Sequence, residues 1–340
     1  MSSEPLTKKR LAALLAGLFL LIALTWWRFS TPVGPEQSVL EGETMGTYFV
    51  VKFEPPKDPA DRNQNWLGQV LLTLDNVDNK MSTYQSDSEL SKINAAWTTD
   101  PIPISKELAH VIGNALKVNQ ETNGAFDITV GPIVNAYGFG PDLNVKPPND
   151  DQLAMLWLRV GSDKFSINVD GLTLTKVRQD VQLDLSAIAK GYAVDNVAKL
   201  LDAWEIEKYF IEVGGEVRTK GTNPDGKPWK VGIEKPAEGK SELHKVVPLT
   251  NQSMATSGTY RNFIMEDGRR VSHTIDPREG VPVSHNLVSV SVIHPDCELA
   301  DAYATALLVL GPEEGPLTAK ELGLQAVFIV ETEDGFQEIE

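Results

Sequence analysis

A single cysteine, Cys297, occurs in 340 residues. One thiol forms no internal disulfide and no CxxC pair, which excludes a disulfide-stapled scaffold and a zinc finger. Positive charge is also short: 31 Lys and Arg against 47 Asp and Glu leave a formal net charge of −16. A chain this acidic, with no long basic run, has little grip on nucleic-acid phosphates. The five histidines, His110, His244, His273, His285 and His294, never fall at HxH or HxxxH spacing, so no His-built zinc site is present. The GxGxxG and GxxxxGK(S/T) fingerprints of dinucleotide and P-loop sites are missing. Ser257 and Ser272 lie outside any GxSxG elbow, which removes a serine hydrolase of that type. From Val39 onward there is no internal repeat, no low-complexity segment and no stretch resembling an interdomain linker.

What is present begins with a long apolar run. Lys8, Lys9 and Arg10 precede Leu11 to Trp27, broken only by Gly17 and Thr25, and Arg28 follows. As a helix these residues cover roughly 25 Å, at the short end for a membrane span. The excess of positive charge before the run places residues 1–29 as a cytoplasmic N-terminus and anchor helix (about 11–27), with Trp26 and Trp27 at the far interface. No A-x-A-like cleavage site and no lipoprotein cysteine follows, so an uncleaved anchor is expected. Residues 30–38 then read as a stem and 39–340 as one catalytic-size domain outside the cytoplasm.

With 41% apolar and 23% charged residues, the body has an ordinary globular composition. Trp66, Val70, Leu74, Val77 and Met81 recur at helical spacing, as do Ile188, Tyr192, Leu200 and Trp204. Leu299, Ala302, Ala306 and Leu310 form a third such series, which Gly311 is expected to stop. Asp170-Gly171 and Asp267-Gly268 read as two-residue hairpin turns, and Asn223-Pro224-Asp225-Gly226 as a longer turn joining EVRTKG to WKVGIE. Many hairpins beside separate long helices predict an α+β fold with mixed, largely antiparallel sheets rather than a doubly wound parallel sheet.

Several constellations carry possible chemistry. In VQLDLSAIAKGYAVD, Val181 to Leu185 reads as a strand, Ser186 as an N-cap and Ala187 onward as a helix. Lys190 then stands in the first helical turn, where the macrodipole disfavours a cation unless an anion is bound there. Asp184 at the strand end suits a polar ligand group or a cation. A solvated lysine and a capping aspartate fit the same pattern, and the residues alone leave both open. Gly124 to Pro141 mixes glycines with Phe126, Tyr137 and Phe139, which suits a pocket for a flat ring, while Gly214-Gly215 after a strand allows close backbone approach. Asp301 and Thr305 lie four apart on one helix face and offer hard oxygens suited to Mg²⁺, or a hydrogen-bonded structural Asp. His273, near a strand end beside Asp276, is the best general-base candidate because its pKa lies near working pH.

Eight segments in order resemble the FAD:protein FMN transferase (ApbE) family: GETMGTYF from Gly42, MSTYQSDSELSKIN from Met81, GAFDITVGPIVNAYGFGP from Gly124, LDLSAIAKGYAVD from Leu183, VGGEVRTKG from Val213, TSGTYRNF from Thr256, SHTIDPREGVPV from Ser272 and ADAYATALLVLG from Ala300. The resemblance implies an α+β enzyme that cleaves FAD with Mg²⁺ and attaches FMN through a phosphoester to a Thr or Ser hydroxyl of a target protein, releasing AMP. It implies flavin-nucleotide contacts from Met45, Tyr84, Ala125, Phe126, Asp127, Asp184, Lys190 and Ile275. The same resemblance assigns the metal to Asp301, Thr305 and the carbonyl of Ala187, and the base to His273 with Asp276 beside it. The partners it implies are FAD and periplasm-facing flavoprotein subunits of membrane redox complexes. An FAD pyrophosphatase would use the same residues, and a non-catalytic periplasmic flavin-binding protein would have no need of Asp301, Thr305 and His273.

Overall fold

Leu40 to Phe53 folds back on itself because Met45 and Gly46 both take positive φ (49° and 71°), the requirement of a tight two-residue turn. The hairpin joins β1 (Ser38–Thr44) to β2 (Thr47–Phe53), with Thr44 opposite Thr47. In this computed structural model the described residues are 37–56, 65–141, 146–236, 242–260, 263–266 and 269–339. The predicted anchor and nearly all of the stem lie outside them. Among the described residues no helix is long and apolar enough to cross a membrane.

The hairpin opens an eight-stranded, wholly antiparallel sheet. Its order continues through β6 (Tyr209–Val213), β7 (Glu216–Lys220), β10 (Ser253–Gly258), β15 (Leu287–His294), β16 (Gln325–Thr332) and β17 (Gly335–Ile339). Alternation along the strands divides the side chains between two cores. Phe49, Val51, Ile211, Val213, Ala255, Val290 and Val292 face a helical layer. That layer comprises α1 (Trp66–Met81), α2 (Glu89–Ala95), α3 (Lys106–Glu121), α6 (Ala189–Ala203) and α7 (Cys297–Glu321). Phe210, Val217, Met254 and Ile329 point the other way, against a two-stranded ribbon of β8 (Trp229–Glu234) and β9 (Leu243–Leu249). Both faces of the sheet are thus covered, each buried aliphatic side chain contributing about 1.5–3 kcal/mol. The α+β architecture expected from the sequence is the one observed.

The helices over Trp66–Met81 and Ala189–Ala203 follow the predicted spacing. Gly311 does interrupt the third, with φ 80° and ψ −173°, but the chain re-enters a helix at once and α7 runs on to Glu321 past that kink. The Asp267-Gly268 hairpin is present as β11 (Phe263–Glu266) and β12 (Arg269–Ser272), paired Glu266 to Arg269; the turn residues themselves are not described. Four expectations are corrected. β4 (Phe165–Asn168) and β5 (Thr173–Lys176) close at Asn168–Thr173, so their loop has four residues. Asn168 Oδ1 accepts the Gly171 N–H (2.9 Å) and Leu172 takes φ 48°, which widens the turn. β5 also pairs with β3 (Ile102–Pro103) in a small sheet.

EVRTKG and WKVGIE do not form a hairpin. The turn closes at Asn223–Gly226 as read, but β6 and β10 already flank β7, and the apolar face Trp229, Val231 and Ile233 carries β8 onto the outer core instead. Val181–Leu185 joins no ladder; Asp184 N–H bonds only the Ile128 carbonyl (2.7 Å). Ser186 does not cap α6, whose N-cap position is Ile188 with no side-chain cap. The glycine-rich segment from Gly124 contains a short helix, α4 (Gly131–Ala136), started by Pro132. It packs through Ile133 and Tyr137 on Leu153 and Leu156 of α5 (Asp150–Trp157), and on Ile275 of a two-stranded β13 (Ile275–Asp276) and β14 (Val281–Pro282).

Candidate active site

Helix α6 begins where α7 presses on it. A Cβ at Gly191 would stand 2.4 Å from the Cys297 carbonyl oxygen, so only glycine lets the two helices meet this closely. The contact lets Asp301 of α7 accept the Gly191 N–H at 3.1 Å, satisfying one of the orphan donors at the start of α6. Gly191 would otherwise donate to the carbonyl four residues back, that of Ala187. Among the described residues nothing donates to that carbonyl, and Ala187 lines the same cavity as Asp301. The capping that the sequence ascribed to Ser186 thus comes from Asp301 on another helix.

One turn along α7, Thr305 Oγ1 lies 2.8 Å from Ser257 Oγ of β10. Lys190, in the first turn of α6, donates to Glu216 Oε1 at 2.5 Å. Glu216 opens β7 directly after the Gly214-Gly215 turn, whose positive φ values (62° and 109°) return the chain in two residues. Its Oε2 is buried without a hydrogen-bond partner. Burial, offset only in part by Lys190, raises the pKa of Glu216, and burial does the same for Asp301. Burial also works against the Lys190 ammonium, but Glu216 and Asp301 outweigh it and hold the lysine pKa above its usual value. One cation therefore serves two buried carboxylates.

These groups line a cavity of about 380 Å³. Its walls include Tyr84, Ala125, Phe126, Asp127, Asp184, Ala187, Lys190, His273, Ile275, Asp301 and Thr305, so the sequence-predicted residues converge from five separate stretches of chain. Asp127 is held by Thr129 N–H (2.8 Å) and Oγ1 (2.6 Å), and burial raises its pKa. Asp184 Oδ1 accepts Ser186 N–H at 2.8 Å. Tyr84 is 65% exposed at the rim, its hydroxyl on the Phe139 carbonyl (3.1 Å), and burial of the hydroxyl with Asp184 nearby raises its pKa. His273, just past β12, meets the Phe139 ring edge-on at 6.1 Å.

Two predicted residues stand apart. Met45 occupies the β1–β2 turn and packs on the helical core. Asp276 is off the cavity wall: Arg278 binds its two oxygens through Nε (3.0 Å) and Nη2 (2.8 Å), which makes it a loop brace. Of the ring-lining aromatics, Phe126 and Phe139 line the cavity while Tyr137 packs on α5. The sequence reading missed Glu216 as a partner of Lys190 and passed over Ser257 as a ligand of Thr305. The signal for Glu216 was a charge at an inward-facing strand position directly after two glycines.

The donors at the head of α6 suit a hard divalent cation. One carboxylate, one hydroxyl and an unused carbonyl are oxygen ligands of the kind Mg²⁺ takes when substrate phosphates and water complete its shell. Among the described residues no three His, Cys, Asp or Glu side chains gather into a metal cage.

Comparison with known proteins adds independent findings. The ApbE family matches residues 45–328. A "FAD:protein FMN transferase" of Haemophilus influenzae is 41% identical over 302 residues, 87% of each chain. The solved structure of a flavin transferase ApbE from Vibrio cholerae superposes with a TM-score of 0.82 at 40% identity, covering 89% of this chain and 96% of that one. The flavinyl transferase ApbE of Pseudomonas stutzeri, in apo form, gives 0.82 at 35% identity, covering 91% and 95%.

Proposed function

This chain belongs to the ApbE family, and on that premise we propose that it is a Mg²⁺-dependent FAD:protein FMN transferase. In this reading it splits the FAD pyrophosphate, joins FMN to a Thr or Ser hydroxyl of a periplasm-facing flavoprotein subunit of a membrane redox complex, and releases AMP. The observation that carries the reading is the meeting of Lys190, Asp301, Thr305 and Ala187 on the wall of one cavity that also carries apolar and aromatic side chains. Phe126, Phe139 and Ile275 offer the flavin ring an apolar lining, and Tyr84 stands at its rim.

Asp301, Thr305 and Ala187 would hold a Mg²⁺ ion, which when bound neutralises pyrophosphate charge and stabilises the departing AMP. Lys190 turns from Glu216 toward the pyrophosphate oxygens, at a helix start already favourable to anions. His273 takes the proton of the acceptor hydroxyl as its oxygen bonds the FMN phosphorus and the P–O bond to AMP breaks. Ser257 fixes the Thr305 hydroxyl. Residues 11–27 would tether the domain to the periplasmic face of the inner membrane.

Incubating the chain with FAD, Mg²⁺ and candidate flavoprotein subunits tests the reading. Covalent flavin fluorescence on a denaturing gel, present only with all components, is the expected result. AMP and free FMN without a fluorescent band would instead mark an FAD pyrophosphatase.

A further inference from the structure

The ladder between β7 and β10 stops early. Only Ser253 and Met254 of β10 pair with β7, whereas β15 pairs with β10 along its whole length to Gly258. From Ala255 to Gly258 the β10 edge facing the Gly214-Gly215 turn therefore has no ladder partner among the described residues. The sheet is split there. On the helix side the split opens into the cavity described above. On the ribbon side it opens into a second cavity of about 250 Å³, walled by Tyr48, Glu212 and Lys230. Gly214, Thr256 and Gly258 line both cavities, so only these residues of the gap stand between the two.

We propose that the acceptor segment of the target protein enters by this second cavity, adds as an extended strand to the free edge of β10, and presents its hydroxyl through the split. The inference rests on the transferase reading above. An open strand edge supplies the N–H and C=O partners that an extended polypeptide requires. At Gly215 nothing lies within 4 Å of where a Cβ would stand, which leaves room there for a backbone to approach. The direction also suits the chemistry: with FAD in the helix-side cavity, the attacking oxygen must come from outside it, in line with the bond that breaks.

The test uses the full chain carrying Lys230→Cys, at an exposed position on the second cavity. The native Cys297 is buried, so a bulky maleimide reports on the introduced thiol alone. The unlabelled variant is its own folding control. FAD is the donor, and the acceptor is the flavoprotein subunit that the unmodified chain labels. Labelling should raise KM for the acceptor by roughly tenfold or more, the equivalent of one or two lost main-chain hydrogen bonds, with FAD affinity unchanged. An unchanged acceptor KM would overturn the proposal. A parallel loss of FAD affinity would overturn it too, by assigning the second cavity to FAD. If the unmodified chain labels no subunit, the transferase reading itself fails, an outcome distinct from both.

Discussion

Lys190 and Glu216 compete with whatever FAD brings to the head of α6. The ammonium rests on Glu216; an anion that draws it away leaves Glu216 buried beside Asp301, a cost set against FAD binding. Lys190→Ala should therefore weaken FAD binding, measured by flavin fluorescence titration. His273→Ala should do the reverse, keeping FAD affinity and losing transfer by roughly 10²–10⁴-fold, the usual worth of a positioned base. A His273→Ala protein that turns over normally per folded molecule would make this histidine a packing residue against Phe139. The sequence marked Lys190, Asp301, Thr305 and His273 because each breaks a local pattern or bears titratable chemistry. It could not mark the Ala187 carbonyl by its own composition, nor Asp301 as the cap of α6, because both depend on two helices distant in sequence touching at Gly191.

That contact is the element-scale hinge of the site. Gly191→Ala gains helix propensity worth up to about 1 kcal/mol, but its methyl would overlap the Cys297 carbonyl, which has no freedom to move within the start of α7. Overpacking of this kind costs about 1–3 kcal/mol. The steric cost wins, so Tm should fall by a few degrees and FAD turnover should fall with it as Asp301 is displaced. Unchanged Tm and activity would show that the helices part without consequence. Between α3 and α7, His110 Nε2 lies 2.9 Å from the buried Glu298 carboxylate, whose hydrogen bond raises the histidine pKa. A raised histidine pKa contributes stability that is full below its unfolded value of about 6.5 and is lost as pH climbs through the folded value. The Tm gap between wild type and His110→Ala should accordingly be wider at about pH 6 than at about pH 8.5; a gap independent of pH would mean that the pair carries no proton linkage. Helices and hairpins with a strong period or a closing turn were legible at this scale. The β7–β8 connection was not, because its turn is local whereas the apolar face that diverts β8 to the outer core is satisfied only by the assembled sheet.

At the scale of the whole molecule, one sheet carries two cores, and the site lies where a strand pair comes apart between them. The α+β class and eleven of the residues that line the cavity could be read from hairpin turns, long helices and ordered family segments. The split in the sheet could not, since it depends on how far two non-adjacent strands stay in register. The tether proposed for residues 11–27 predicts that a C-terminal reporter is active only in its periplasm-dependent form; a mature N-terminus mapped beyond Trp27 would contradict an uncleaved anchor. In the proposed reaction the FMN half of FAD ends on a protein hydroxyl and not in water. The most direct measurement follows AMP release and protein-bound FMN together, by chromatography and intact-protein mass, with acceptor subunit and FAD present and with Mg²⁺ supplied or chelated. Equal amounts of AMP and covalently bound FMN, both vanishing on chelation, are predicted. AMP matched by free FMN with no mass added to the acceptor, or transfer that persists without the metal, would contradict the account.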